Sequence, residues 1–340
     1  MKRLLVILGG LAALLLLAVL VAGGLVLSNA LRPARPVAME QVVAADPGAA
    51  RGKVGALVFY PTTAKPRLTL LGTTAVELAS GGPVTPGRHP MVVISHGSPA
   101  SPVSHLDTAL ALAEAGYVVV ALQHNGDNVQ DRSSVGTPGW IAGRAREVAR
   151  VNDHMLARWP RRAAIDPARI GLFGFSAGGT TGLVVLGGTP DLAKIGPHCA
   201  ARPEFVCRLM KPGAPQGPAP TWTHDPRVRA AVIAAPGLGF TFPPDGLKTV
   251  RAPVQLWAGQ ADDTVPVATN AAVVRSLLPA ATTEFRLVSD AAHAGFLTPC
   301  GPAAALMPPT LCKDPKGFDR KAFHRLFNRE VVGFFDRTLG

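Results

Sequence analysis

Residues 170–179 read IGLFGFSAGG, an apolar run followed by a G-x-S-x-G motif centred on Ser176. The apolar residues predict a buried strand, and residues 179–186 have the pattern of a helix. In a tight turn between a strand and a helix, glycines on both sides of the serine leave room for the neighbouring backbone. The motif therefore predicts that the side chain of Ser176 stands out from the end of a strand, at the positive end of the following helix.

Apolar runs alternate with helical patterns on both sides of this motif, as is typical of a mostly parallel sheet flanked by helices. The sequence predicts strands at residues 54–60, 91–95, 117–122, 170–173, 228–234, 254–258 and 284–288, and helices at residues 106–115, 140–159, 179–186 and 320–338. The helix at 140–159 is predicted to be amphipathic, and its polar positions include Arg144, Arg146, Arg150 and Arg158.

Residues 187–225 interrupt this alternation. They include KPGAPQGP at 211–218, whose prolines and glycines exclude regular structure from its interior. Long ordered loops often have a function, so two interpretations stay open. The insertion is either a lid over a pocket or a surface excursion.

A serine hydroxyl is a weak nucleophile near neutral pH, so Ser176 needs a base that accepts its proton. In α/β enzymes with this motif, an acid and then a histidine follow the serine in the chain. Only His293 and His324 come late enough. His293 lies in a loop of small residues after a strand and is the predicted base, whereas His324 lies within a helix and is interpreted as a surface or packing residue.

The acid that orients His293 should also follow a strand. Asp262 and Asp263 come just after the strand at 254–258, at the carboxyl end where ligands bind in open α/β sheets. We expect Asp262 to be the acid and keep Asp263 as the reserve candidate.

Cleavage of an acyl group also needs donors for the negative charge that develops on the carbonyl oxygen. Ser98 follows the strand at 91–95, and Ala177 follows the nucleophile. We expect the backbone N–H groups of these two residues to form the oxyanion hole. His96, in the same loop as Ser98, is expected to order the loop by a hydrogen bond rather than to transfer a proton.

The composition excludes several classes of protein. The chain has 340 residues, of which 48% are hydrophobic and 16% charged, which is enough apolar material for a core and excludes wholesale disorder. The net charge is +12, but the basic residues are scattered and do not alternate with aromatic residues, so no nucleic-acid partner is expected. No HExxH, Walker or dinucleotide motif is present, and therefore no metal or organic cofactor is predicted.

The N-terminus has the order of an export signal. Lys2 and Arg3 precede the uncharged residues 4–27, and a small-residue exit follows at 28–30. The apolar run is longer than a usual signal core and long enough to cross a bilayer of about 30 Å. Residues 1–30 are therefore either a cleaved signal or a membrane anchor, and both place the rest of the chain outside the cytoplasm, secreted, periplasmic or anchored. Residues 31–53 are expected to be a linker.

The four cysteines form two close pairs along the chain, Cys199 with Cys207 and Cys300 with Cys312. Their spacings match no zinc or redox motif. In an oxidising compartment the simplest pairing is local, with each disulfide closing a short loop.

From about residue 54 to 340 the chain resembles the α/β-hydrolase superfamily and, within it, the predicted dienelactone hydrolases related to platelet-activating-factor acetylhydrolase. The resemblance is carried by His96-Gly97, by GFSAGG at 174–179, by GQAD at 259–262 with Val265-Pro266 after it, and by His293. Dienelactone hydrolases use a cysteine nucleophile, whereas this chain has Ser176, so their lactone activity is not implied. Phe175 replaces the polar residue that many relatives have before the nucleophile. The cysteine pairs and the insertion at 187–225 also depart from the general pattern.

Together these features predict a serine hydrolase that cleaves a small-molecule or lipid-like carboxylic ester through an acyl-enzyme. Acyl transfer and peptide cleavage use the same groups and stay open, as does a non-catalytic envelope-binding module on the same fold. Phe175, Trp257 and Phe296 flank the motif residues and either line an acyl pocket or belong to the core.

Overall fold

The computed structural model describes residues 2–72, 74–210, 220–302 and 307–340. Its ten strands form a single sheet in the order β10-β9-β8-β7-β5-β6-β2-β1-β4-β3. The strands are β1 Val37–Ala45, β2 Lys53–Pro61, β3 Arg67–Leu71, β4 Thr74–Ser80, β5 His89–Ser95, β6 Val118–Gln123, β7 Ile165–Phe175, β8 Val228–Ala234, β9 Val254–Gly259 and β10 Thr283–Val288. The helices are α1 Lys2–Ser28, α2 Leu106–Glu114, α3 Trp140–Ala157, α4 Ala177–Val185, α5 Ile195–Ala201, α6 Phe205–Leu209, α7 Ala271–Leu277, α8 Pro309–Cys312 and α9 Arg320–Leu339.

The six strands from β10 to β6 are parallel to one another. Four of them, β5, β6, β8 and β9, are almost entirely buried, as expected of strands that are covered on both faces. Helices α3 and α4 pack on one face, and α2 and α9 pack on the other. The predicted mostly parallel sheet flanked by helices is therefore confirmed.

Residues 31–53 contain a strand of the sheet, whereas the sequence predicted a linker. Strand β1 lies within this range and pairs antiparallel with β2 along its full length, from Val37 opposite Pro61 to Ala45 opposite Lys53. Val37 and Ala38 are fully buried. The segment is thus part of the sheet, because the apolar residues of β1 are buried against the core beside the antiparallel strand β2.

The insertion at residues 187–225 contains two short helices, α5 and α6, joined by a disulfide between Cys199 and Cys207. A second disulfide joins Cys300 to Cys312. Both predicted pairings are confirmed. The segment 211–218, predicted to be irregular, lies outside the described residues.

The N-terminal helix α1 covers most of the predicted signal or anchor. Among the described residues, no helix meets the length and hydropathy needed to cross a membrane.

Candidate active site

Ser176 lies between β7 and α4 and has a positive φ of 55°, which non-glycine residues rarely adopt. Its backbone N–H donates to the carbonyl of Ala234 on β8, at 3.0 Å. A Cβ atom at Gly174 would collide with the carbonyl of Gly178, and one at Gly178 would collide with the carbonyl of Ser95. The two glycines of the motif are therefore required by the close approach of the neighbouring backbone.

His293 links Ser176 to Asp262. Its Nε2 atom lies 3.0 Å from Oγ of Ser176, and its Nδ1 atom lies 2.7 Å from Oδ2 of Asp262. The other carboxylate oxygen of Asp262 accepts hydrogen bonds from the backbone N–H groups of Thr264 and Val265, at 3.0 and 2.7 Å. The carboxylate is therefore held in place from both sides, and the imidazole is aimed at the serine.

Burial and hydrogen bonding distinguish the two candidate acids. The side chain of Asp262 is buried, with 1% of its surface exposed, whereas Asp263 is exposed and accepts only a 3.4 Å hydrogen bond from its neighbour Thr264 among the described residues. Of the two candidates, Asp262 is thus the one whose carboxylate lies within hydrogen-bond distance of His293.

Ser98 and Ala177 line the same cavity as Ser176. Among the described residues, neither of their backbone N–H groups has a hydrogen-bond acceptor. The loop that carries Ser98 packs against Ser176, since a Cβ atom at Gly97 would lie 3.4 Å from Cβ of Ser176. Two unpaired N–H donors that line the same cavity as a serine hydroxyl are suited to bind an oxyanion.

His96 is fully buried, and burial, together with neighbouring His124 and Arg144, lowers its pKa well below the ordinary value. Its Nδ1 atom donates to the carbonyl of Gly97 at 2.7 Å. The ring is therefore neutral and has a partner within its own loop.

The cavity at Ser176 has a volume of about 30 Å³. Its walls are mostly apolar, and part of them belongs to α6 of the insertion. The apolar side chains that line it are Trp140, Phe205, Val206, Leu209, Leu238 and Val265. Helix α6 therefore lies over the cavity that contains Ser176. Phe175, Trp257 and Phe296 do not line this cavity and lie instead in the core, the other interpretation that the sequence left open.

Glu204, at the start of α6, connects the insertion to the opposite wall of the cavity. Its carboxylate accepts hydrogen bonds from Oγ1 of Thr269 at 2.5 Å and from Nδ2 of Asn270 at 3.1 Å. It also lies 3.1 Å from Nε2 of His198 on α5. One carboxylate therefore joins both short helices to the loop that follows Asp262.

Arg144 was expected at a polar position of an amphipathic helix, but its side chain is 1% exposed. The guanidinium faces the carboxylate of Asp127, which is fully buried. Burial lowers the pKa of Arg144, and the charge of Asp127 opposes that change. The helical period places Arg144 one turn after Trp140, which also turns inward, but nothing local in the sequence identifies its acidic partner.

His324 is also buried rather than on the surface, and its ring bridges two parts of the chain. Nδ1 lies 2.6 Å from Oδ2 of Asp107 on α2, and Nε2 lies 2.9 Å from the carbonyl of Gly295 in the loop of His293. The sequence gives no local sign of this contact, because Asp107 and His324 are 217 positions apart.

No family model and no curated protein matches the chain. Among solved structures, it is similar to a ferulic acid esterase from Streptomyces cinnamoneus, with a TM-score of 0.64 and 18% sequence identity. The alignment covers 91% of this chain and 93% of that chain. This likeness shows the fold, which is that of the α/β-hydrolases. The finer resemblance to dienelactone hydrolases stays a prediction.

Proposed function

We propose that the protein is a serine hydrolase that cleaves carboxylic esters. The observation that carries this proposal is the continuous chain of hydrogen-bond distances from Ser176 through His293 to Asp262. A nucleophile, a base and an orienting carboxylate in this order are the parts of a serine triad. The fold and the free N–H groups of Ser98 and Ala177 support the same chemistry.

The reaction follows from these positions. Oγ of Ser176 attacks the ester carbonyl carbon while its proton moves to Nε2 of His293, and the carbonyl oxygen takes the negative charge beside Ser98 and Ala177. When the carbon–oxygen bond of the ester breaks, His293 returns the proton to the alcohol that leaves. Water then attacks the acyl-enzyme with His293 again as base, which releases the acid and restores Ser176. Asp262 stabilises the imidazolium in both steps.

The walls of the cavity favour uncharged, apolar acyl groups, because the side chains that face Ser176 are mostly aliphatic or aromatic. The structural neighbour is an esterase that acts on ferulic acid esters, which supports a small-molecule or lipid-like ester as substrate. A volume of about 30 Å³ holds roughly one water molecule, so a substrate needs the lid to open. We therefore propose that α5 and α6, in the described part of the insertion, form a moving lid.

Two disulfides support a location outside the cytoplasm. Together with the N-terminal pattern, they favour an exported enzyme, secreted or held at the membrane by residues 4–27.

The proposal is tested with a fluorophosphonate probe and with p-nitrophenyl esters of increasing acyl length. We expect the probe to label the wild-type protein and the esters to be hydrolysed, and Ser176→Ala to abolish labelling and lower kcat by about 10⁴-fold or more. Ser276→Ala, at an exposed serine on α7, is the matched control and should behave as wild type. A folded wild-type protein that neither labels nor hydrolyses any ester would support the binding module instead.

A further inference from the structure

We infer that the buried pair of Arg144 and Asp127 positions both oxyanion donors, by joining the loop of Ser98 to the helix of Ala177. This inference rests on the proposed function, since it concerns the same site. Neither residue lines the cavity at Ser176, so both act through other groups. They are positioning residues rather than catalytic ones.

The first link runs from Asp127 to Ser98. The hydroxyl of Ser98 donates to Oδ1 of Asp127 at 2.6 Å. The other oxygen, Oδ2, accepts from Nε1 of Trp140 at 2.5 Å and from the guanidinium of Arg144. The side chain of Ser98 is thereby fixed, and with it the direction of its backbone N–H group.

The second link runs from Arg144 to the loop of Ser98 directly. Its Nη2 atom donates to the carbonyl of His96 and lies 3.3 Å from Oγ of Ser95. The peptide that carries the His96 carbonyl directly precedes the peptide that carries the Ser98 N–H. Arg144 therefore holds this loop at its start, while Asp127 holds it at Ser98.

The third link runs from Arg144 to the nucleophile helix. Nε of Arg144 donates to Oγ1 of Thr181 at 3.1 Å, and the hydroxyl of Thr181 donates in turn to the carbonyl of Ala177 at 2.8 Å. The first turn of α4, which carries the second oxyanion donor, is thus tied to the same guanidinium. The planar guanidinium sets the relative position of the two donors because its donor groups point in fixed directions.

The pair acts through geometry rather than through net charge, because Asp127 neutralises Arg144 at the same place. Stability alone does not account for it, since a buried ion pair often contributes no more to folding than apolar residues of similar size. A misplacement of about 1 Å at a reacting group can reduce a rate by 10²-fold. The expected effect of removing the pair is therefore a loss in kcat that exceeds any loss in stability.

The test compares Arg144→Met with Arg146→Met. Arg146 is on the same helix and pairs with the buried Asp46 at 2.9 Å, so its variant also breaks an Arg–Asp pair. We expect Arg144→Met to lower kcat by about 10²-fold with KM within threefold, and to weaken a boronic acid inhibitor, which mimics the tetrahedral intermediate, to the same extent. We expect Arg146→Met to keep the wild-type kcat and inhibitor affinity.

Two milder variants decide the question if Arg144→Met does not fold. Ser98→Ala and Thr181→Val each remove one link and leave the backbone donors in place, and each should lower kcat by about tenfold. The inference is overturned if folded Arg144→Met keeps the wild-type kcat, or if both milder variants do. Hydrolysis and probe labelling by the wild-type protein test the proposed function separately, whereas the ratios of variant to wild type test this inference.

Discussion

At the scale of single residues, the backbone of Ser176 is the strained point of the site. A positive φ at a residue other than glycine costs of order 1–3 kcal/mol, and it persists only where the surroundings enforce it. Here the hydrogen bond to Ala234 and the close packing at Gly174 and Gly178 enforce it. As a result, the hydroxyl of Ser176 faces His293. It makes no capping hydrogen bond to α4, although Ser176 is the N-cap residue of that helix.

The first prediction concerns the acid. Asp262→Asn should lower kcat by about 10⁴-fold, because an amide cannot hold His293 in the tautomer that accepts the proton of Ser176. Asp263→Asn is the matched control, one residue away and exposed, and it should change kcat by less than about threefold. Steady-state kinetics with one p-nitrophenyl ester measure both. A larger loss in the Asp263 variant would move the acid by one position.

How far the sequence could predict the site differs from residue to residue. Ser176, Asp262 and His293 follow strands whose carboxyl ends share one edge of the sheet, so chain order and strand position were enough to bring them together. The burial of Arg144 and of His324 could not be predicted, because each contacts an acidic residue that is not its neighbour in the sequence. A period of 3.6 residues shows which face of a helix is polar. It does not show that a charged residue on that face pairs with an opposite charge in another part of the chain.

At the scale of elements, helix α6 of the insertion lies over the cavity at Ser176. Phe205, Val206 and Leu209 face the cavity from one side, and Glu204 connects α6 to Thr269 and Asn270 on the other. The disulfide holds α5 and α6 together, so the two short helices are expected to move as one unit. A helix of five residues is not stable alone, so α6 depends on such contacts with the rest of the protein.

The second prediction follows from that contact. Glu204→Ala should release the lid and widen the cavity, so kcat/KM for a p-nitrophenyl ester of about eight acyl carbons should rise several-fold relative to that for the acetate. Asp191→Ala removes another carboxylate of the insertion, which is exposed and caps the short turn Leu192–Lys194, and serves as control. An unchanged ratio in the Glu204 variant would contradict a closing role for this residue.

At the scale of the whole molecule, the sequence predicts the parallel strands and β2, but not β1, β3 and β4. Strands β5, β6, β8 and β9 are rich in apolar residues, as expected of strands that are buried on both faces. In β1 the buried residues are interrupted by exposed Gln41, Val43 and Ala45, and β3 is largely exposed. Strands of this kind depend on pairing with a neighbour, and a single sequence does not show which neighbour that is.

The long-range contact of α2 with α9 fastens the loop of His293 to the body of the protein. The carboxylate of Asp107 accepts from His324 at 2.6 Å, from Thr298 at 2.7 Å and from Asn328 at 2.7 Å. Both ring nitrogens of His324 face oxygen atoms, Oδ2 of Asp107 and the carbonyl oxygen of Gly295. The nearby His105 is fully buried, and burial lowers its pKa to about 4, so it stays neutral at pH 7.

The third prediction is a pH dependence of stability that belongs to Asp107. Burial by itself would raise the pKa of this carboxyl, but the charge of His324 and the hydrogen bonds from His324, Thr298 and Asn328 outweigh burial and hold the pKa well below the ordinary 3.8. Below pH 3.8 the unfolded chain therefore binds a proton that the folded protein does not, and the stabilisation is lost as the pH falls.

Asp107→Asn should thus reduce the free energy of unfolding by roughly 3–5 kcal/mol at pH 7, because it removes the buried carboxylate to which His324, Thr298 and Asn328 donate. The difference from wild type should shrink steadily between about pH 4 and pH 2, since the wild-type protein loses the contribution of Asp107 over that range. Urea unfolding at several pH values measures this difference, with Asp290→Asn, at an exposed aspartate of the His293 loop, as control. A difference that stays constant down to pH 2 would mean that packing around Asp107, and not its charge, fastens α2, α9 and the catalytic loop together.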